Sequence, residues 1–346
     1  MTGGGLLDIA TLNAFLAGHA PDLGTVVSLD KFNAGQSNPT YKMQTNNGVF
    51  VLRIKPEGTL LKSAHMVERE FRVMAALQST NVPVPRVICL VEDAQSPFGR
   101  AFYIMEFLEG RIFWDPALPE VTPVERGQIY EQMNAVLAAL HDVDVTSVDL
   151  SDFGKSGNYF LRQVQRWSSQ YQASIDAASA DMSAIMTWLQ DHMPGETDAF
   201  GLVHGDYRLD NMIFHPTEPK VIGVLDWELS TLGHPLADLA YQCMQLRLPH
   251  QAGMRGLGGL DRLGLGVPSE ADYVNLYAQH RNVDIGSEWG FALVFSYFRL
   301  IAILQGVVAR AQAGNGSNPA QAKTFAQAIP FLEAQARQIM KDGVDV

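Results

Sequence analysis

The stretch LVHGDYRLDNMIF, residues 202–214, begins and ends in apolar residues and carries His204, Asp206, Arg208, Asp210 and Asn211 between them. Burying that many polar side chains costs free energy unless each finds a partner or an ion. Two readings follow: the partners are internal, or the loop is built to hold a ligand. Working outward, KVIGVLDWE (220–228) supplies an apolar strand ending at Asp226, fifteen residues after Asn211. A hairpin between that strand and the one ending at Phe214 brings Asp206, Asn211 and Asp226 to one end. Two carboxylates and an amide oxygen are hard donors of the kind magnesium takes, with waters and phosphates completing the shell. One carboxylate left off the metal can accept a proton from a hydroxyl nucleophile. Together these are the parts of phosphoryl transfer.

The bulk properties leave room for this chemistry. The 346 residues carry a formal net charge of −12, with 47% hydrophobic and 18% charged residues. That balance is ordinary for a globular protein with a sizeable core. It argues against nucleic acid or an anionic membrane as partner. Cys89 and Cys243 form no CxxC or Cys/His cluster, so they read as buried thiols in a reducing, cytoplasmic compartment. The N-terminus has no basic region before its apolar residues and does not read as a secretory leader. Residues 290–309 are apolar enough for a membrane span, but Arg299, Ser296 and Gln305 near the middle are costly in lipid, which points to a buried helix.

Strand patterns fill 24–55. NNG makes a hairpin signal before VFVLRIK, and two further strands lie in VPVPRVICLVED and RAFYIMEFLEG. AHMVEREFRVMAALQS (64–79) has helical spacing. Helical patterns then dominate 123–142, 156–195, 270–282, 287–313 and 318–341. The expected organisation is α+β and bilobal: a strand-rich lobe over 1–105, a hinge at 106–111, and a helical lobe over 112–346, with a ligand between the lobes. The Gly-rich run 254–270 reads as a flexible loop or a lid.

HGDYRLDN followed by LDWE resembles the H-x-D-x-x-x-x-N catalytic loop and D-F-G segment of the protein-kinase-like fold. The Gly after the His, and Asp-Trp for Asp-Phe-Gly, resemble the aminoglycoside phosphotransferase/choline kinase-like family. The likeness is strongest to the kinase-like domain fused to certain acyl-CoA dehydrogenase family members. It covers nearly the whole chain, including FVLRIKPEG, FLRQVQRWSSQY and VLDWELSTLGHPLADLAY.

The resemblance implies roles. Asp206 is the catalytic base, with Arg208 neutralising the transferred phosphate. Asn211 and Asp226 bind Mg2+, and His204 is a structural member of the loop. ATP is gripped by the loop 34–41, with Gly35, Ser37 and Asn38 as phosphate donors. A base, Arg53 or Lys55, pairs with Glu70, Glu68 being its rival. Arg53 is an arginine where the family has lysine, and it binds phosphate differently. Met105 to Phe107 offer backbone groups to adenine. Asp238 braces the loop, and Glu228 either reaches substrate or metal or is structural.

The implied activity is ATP- and Mg-dependent phosphorylation of a small-molecule hydroxyl, on a hydroxyacyl-CoA-type or similar metabolite before an aminoglycoside. Arg162 and Arg166 on one helix face make either salt bridges or a cationic edge for an acidic substrate. The aromatic stripe Trp289, Phe291, Phe295, Tyr297 and Phe298 reads as core. The alternative to an enzyme is a non-catalytic nucleotide-binding pseudokinase module. A metal-dependent hydrolase using His204, Asp206 and Asp226 is a third reading.

Overall fold

The computed structural model describes residues 7–32, 38–58, 65–155, 157–195, 199–251, 254–314 and 319–343. In chain order the elements are α1 (Ile9–His19), β1 (Val26–Lys31), β2 (Thr40–Thr45), β3 (Gly48–Ile54), α2 (Val67–Leu77), β4 (Val87–Val91) and β5 (Phe102–Glu106). Then come α3 (Pro123–His141), α4 (Tyr159–Gln172), α5 (Ala180–Asp191), β6 (Gly201–Val203), β7 (Met212–Phe214), β8 (Val221–Val224) and β9 (Thr231–Gly233). The chain ends with α6 (Leu236–Arg247), β10 (His250–Gln251), β11 (Met254–Arg255), α7 (Arg262–Leu265), α8 (Glu270–Arg281), α9 (Trp289–Gln312) and α10 (Pro319–Asp342).

The chain divides into two compact units. The first comprises Met1–Ile112, Val148–Leu150 and Asn211–Ser230. Its core is an antiparallel sheet of order β1-β2-β3-β5-β4. Alternation sorts the sheet's two faces. Leu52, Ile54, Phe102 and Ile104 join one buried cluster with Leu12 and Leu16 of α1. Arg53 and Tyr103, opposite each other in the β3–β5 register, point the other way, where Tyr103 packs edge-on against Phe71 of α2. The β7–β8 hairpin belongs to this unit too, joined to it by the Arg111–Phe214 bridge and by the Val224 amide donating to Pro83 O at 2.8 Å. Gly110 is required at that seam: a Cβ there would lie 2.3 Å from Phe214 O.

The second unit comprises Phe113–Ser147, Ser151–Asp210 and Thr231–Val346. It is helical around α9, whose Trp289, Phe291, Phe295, Tyr297 and Phe298 are all buried, so the aromatic stripe is core. α9 is the one described helix long and apolar enough to cross a membrane, but most of it is buried within this unit. A short β6–β9 ladder completes the unit beside α3.

Four readings need correction. The first 105 residues hold α1 as well as α2. α1 is announced only by the Asp8 cap, which accepts from the Thr11 amide, and by Leu12 and Leu16 four apart. The helical region 156–195 is two helices: α4 ends at Gln172, and α5 begins after its Ser179 cap. α6 has no helical period to read, since nearly every one of its residues is buried. The Gly-rich run 254–270 is not one unstructured loop. It holds β11 and α7, with Asp261 capping α7 and Arg126 donating to Leu118 O and Leu265 O.

Candidate active site

The first unit carries Asn211 and Asp226 at one end of the β7–β8 hairpin. Met212 is registered opposite Val224, and the Leu225 amide donates to Asn211 O at 2.8 Å. The hairpin inferred from the sequence is therefore present. Asp226 then adopts a left-handed backbone, φ 65° and ψ 56°, a conformation uncommon for a residue with a side chain. Trp227 fixes the turn after it, donating its indole N–H to Val224 O, while the Ser230 hydroxyl donates to Trp227 O. Strain of this kind persists where the surroundings over-determine it and is common at functional sites.

Arg53 reaches this turn. Its Nε lies 2.7 Å from Glu70 Oε2, and its second terminal nitrogen lies 3.1 Å from Asp226 Oδ1 and 3.9 Å from Glu228 Oε2. Glu70 is 1% exposed and accepts further hydrogen bonds from Asn38 Nδ2 at 2.8 Å and from the Tyr103 hydroxyl at 3.1 Å. Burial pushes the Glu70 carboxyl up to about 7 against the pull of Arg53, with the Asp226 and Glu228 charges adding to the rise. Burial works against the Arg53 charge too, but Glu70, Asp226 and Glu228 outweigh it and hold the guanidinium protonated.

Lys55 follows the end of β3 and is taken elsewhere, onto Glu68 and Asp93. So the two bases and two glutamates sort into Arg53–Glu70 and Lys55–Glu68. Lys55 is not at the Glu70–Asp226 cluster. Met105 is buried in β5, and the Phe107 ring lies under the Lys42 ammonium, 4.7 Å away. Gly35 and Ser37 lie outside the described residues. Their neighbour Asn38 is described, and its side chain holds Glu70 and contacts His65 Nδ1 rather than standing free as a phosphate donor.

The second unit carries the other half of the loop. Asp238, on α6 and fully buried, accepts the amides of His204 at 2.6 Å and Gly205 at 2.8 Å. Its Oδ2 also takes the Nε2–H of His141 at 3.4 Å. Behind it, the Tyr277 hydroxyl donates to His141 Nδ1 and accepts from Arg281. Burial holds His141 neutral. Burial opposes the Asp238 charge as well, but the donors from His141 and His204 keep its carboxyl below the ordinary range.

Arg299, from the middle of α9, donates to Gly205 O. The peptides flanking Gly205 are thus held from both sides, and its φ of 83° suits glycine. The loop continues with the Asp206 amide donating to His204 Nδ1 at 3.2 Å, so His204 is structural in the geometric sense. Asp206 receives the Tyr241 hydroxyl and lies 3.5 Å from Arg208 Nε, and Arg208 also binds Asp210 at 2.8 Å. Arg162 turns back on its own loop, donating to Lys155 O, and Arg166 stacks over Trp167.

A profile of the phosphotransferase enzyme family matches residues 28–273, a span that includes both halves of this constellation. The chain belongs to that family. Its curated relatives include acyl-CoA dehydrogenase family member 10 of Mus musculus, 46% identical over 84% of this chain and 27% of the relative. Member 11 of Homo sapiens is 38% identical over 96% of this chain and 42% of the relative. The chain therefore spans well under half the length of these relatives.

A crystal structure from Ralstonia eutropha, provisionally assigned as an aminoglycoside phosphotransferase, matches with a TM-score of 0.88 at 44% identity, covering 98% of this chain and 99% of that one. Aminoglycoside phosphotransferase APH(4)-Ia, in a complex with AMP-PNP and hygromycin B, matches at a TM-score of 0.60 and 14% identity over 97% and 99% of the two chains. At that identity the likeness establishes the fold, which is protein-kinase-like.

Asp238, Arg299 and Tyr241 complete the loop's support. The sequence singled out Asp238 through the resemblance alone. Arg299 was visible only as a charge out of place in an apolar helix, and Tyr241 gave no signal.

Proposed function

We propose that this phosphotransferase moves the γ-phosphoryl group of ATP to a hydroxyl of a small molecule, with magnesium. Asp206 accepts the hydroxyl proton as the acceptor oxygen bonds to phosphorus and the bond to the bridging β,γ-oxygen breaks, giving a phosphate monoester and ADP. Arg208 neutralises charge on the transferred group, and Arg53, set by Glu70, binds the nucleotide phosphates. Asn211 and Asp226 would hold magnesium, which would supply charge neutralisation at the phosphates.

The donor chemistry fits that ion. Among the described residues no group of three or more His, Cys, Asp or Glu is placed to hold a metal. Magnesium instead takes one or two carboxylates and completes its shell with waters and substrate phosphates. Asp226 Oδ1 is shared with Arg53, a group that also suits phosphate.

The observation that carries the reading is the Arg53–Glu70 pair reaching Asp226 at the hairpin end. A hydrolase reading gives that pair no work. The pseudokinase reading draws on the arginine at position 53. The acceptor is a hydroxylated metabolite of the hydroxyacyl type before an aminoglycoside, a reading supported by the likeness to the dehydrogenase-fused chains.

ADP release measured with an alcohol panel tests this. Asp206→Ala should lower kcat by about 10²- to 10⁴-fold, the usual share of a general base, and leave nucleotide affinity intact. Acceptor-dependent ADP release unchanged in Asp206→Ala would overturn the assignment. No ADP release with any acceptor would favour the pseudokinase.

A further inference from the structure

Arg53 stands in a row that crosses three strands. It is registered opposite Thr40 of β2 on one side and Tyr103 of β5 on the other. Residues directly opposite share a sheet face, and Glu70 of α2 meets that face. Its two carboxylate oxygens are divided among three donors. Oε1 accepts from Asn38 Nδ2 at 2.8 Å. Oε2 accepts from the Tyr103 hydroxyl at 3.1 Å and lies 2.7 Å from Arg53 Nε. Asn38, Glu70 and Tyr103 are all buried.

A guanidinium and a carboxylate favour two parallel N–H···O bonds. Arg247 and Glu270, within the second unit, form them, from Nε to Oε2 at 2.6 Å and from Nη2 to Oε1 at 2.5 Å. Arg53 and Glu70 do not. The Arg53 Nη1 donates to Thr40 Oγ1 at 3.2 Å and its Nη2 to Asp226 Oδ1 at 3.1 Å, so Glu70 meets Nε alone. The oxygen that would complete the fork is Oε1, and Asn38 already holds it. Thr40 is oriented in turn. Its hydroxyl donates to Asn38 O at 3.0 Å, which leaves its lone pairs for Arg53.

We infer that Asn38 and Tyr103 are the positioning residues of the phosphate-binding base. They stop Glu70 from clasping the Arg53 fork and leave both terminal nitrogens outside the ion pair, one of them at the Asp226 turn. This rests on the proposed function, in which Arg53 binds the nucleotide phosphates, and it adds the residues that fit an arginine to that task. Both act through Glu70. A lysine has a single nitrogen and no fork to be clasped, so the device belongs to the arginine.

The test measures binding of MgATP to the whole chain by calorimetry, with adenosine as the ligand that lacks phosphates. Tyr103→Phe removes one hydroxyl and keeps the ring beside Phe71. Asn38→Leu removes the other donor at nearly constant shape. Each should weaken MgATP binding roughly tenfold, the scale of one buried hydrogen bond, and leave adenosine binding as in the native chain. Made on top of Arg53→Lys, the same two changes should weaken MgATP no further, a result that a merely structural role would not give. Equal loss for MgATP and adenosine, the same loss on top of Arg53→Lys, or native MgATP binding unmoved by either change would overturn the positioning role alone. No MgATP binding by the native chain would remove the nucleotide reading, and this role with it.

Discussion

Glu70 is the residue where charge, burial and function are most tightly bound together. Its carboxyl is pushed up to about 7 by burial, whereas in the unfolded chain it titrates near the ordinary value of about 4.3. Between those two values the folded chain holds a proton that the unfolded chain has released. Stability must therefore fall as pH rises across that window, and the slope is flat below it. Glu70→Gln is permanently neutral and should abolish this contribution. Urea-denaturation midpoints taken at pH values from about 4 to about 8 should decline for the native chain and decline less for the variant. Parallel curves would contradict the raised carboxyl.

At the same scale, the sequence made the β7–β8 hairpin between Asn211 and Asp226 legible because its strands are only a few residues long. Local geometry then leaves little freedom. It left Arg53 and Lys55 unresolved, because alternation alone places 53 and 55 on one strand face. What separates them is that β3 stops at Ile54, so Lys55 is free to turn to Glu68 and Asp93.

At the scale of elements, the peptides around Gly205 are held by α6 and α9. Asp238 and Arg299 grip the peptides around Gly205 from opposite sides, and His141 with Tyr277 and Arg281 forms the layer behind Asp238. Asp238→Ala strips two buried amides and His141 of their acceptor. It should cost about 3–5 kcal/mol of stability, the range for breaking a buried charged network. In the fraction that still folds, kcat should drop more than the KM for ATP rises, because the displaced group is the base loop. A folded variant with native kcat and stability would show that the bracing is idle.

None of this support forms a contiguous pattern in the chain. α6 is buried all round and so lacks a helical period, and Arg299 sits 94 residues from the carbonyl it binds. The capped elements α1 and α5 were missed or merged for a related reason. A single Asp or Ser cap is a weak signal beside a long apolar run.

At the scale of the whole molecule, the α+β, kinase-like architecture was readable because two different periods succeed each other along the chain: alternation up to β5, then helical spacing. The division into units was less readable. Asn211–Ser230 clusters with the first unit through contacts that follow the β7–β8 hairpin, not the order of the sequence. The boundary between the units falls within the 204–211 motif, with Asp210 in one unit and Asn211 in the other.

The central claim is that the Asp226 turn binds a nucleotide together with magnesium. The most direct measurement is the thermal shift of the native chain and of Asp226→Ala with ATP, with and without magnesium. A ligand that binds only the folded state adds about 2.7 kcal/mol at a hundredfold excess over its dissociation constant. The expected result is a rise in Tm that requires magnesium and is lost in Asp226→Ala. A rise that is independent of magnesium and unchanged in the variant, or no rise at saturating MgATP, would contradict it.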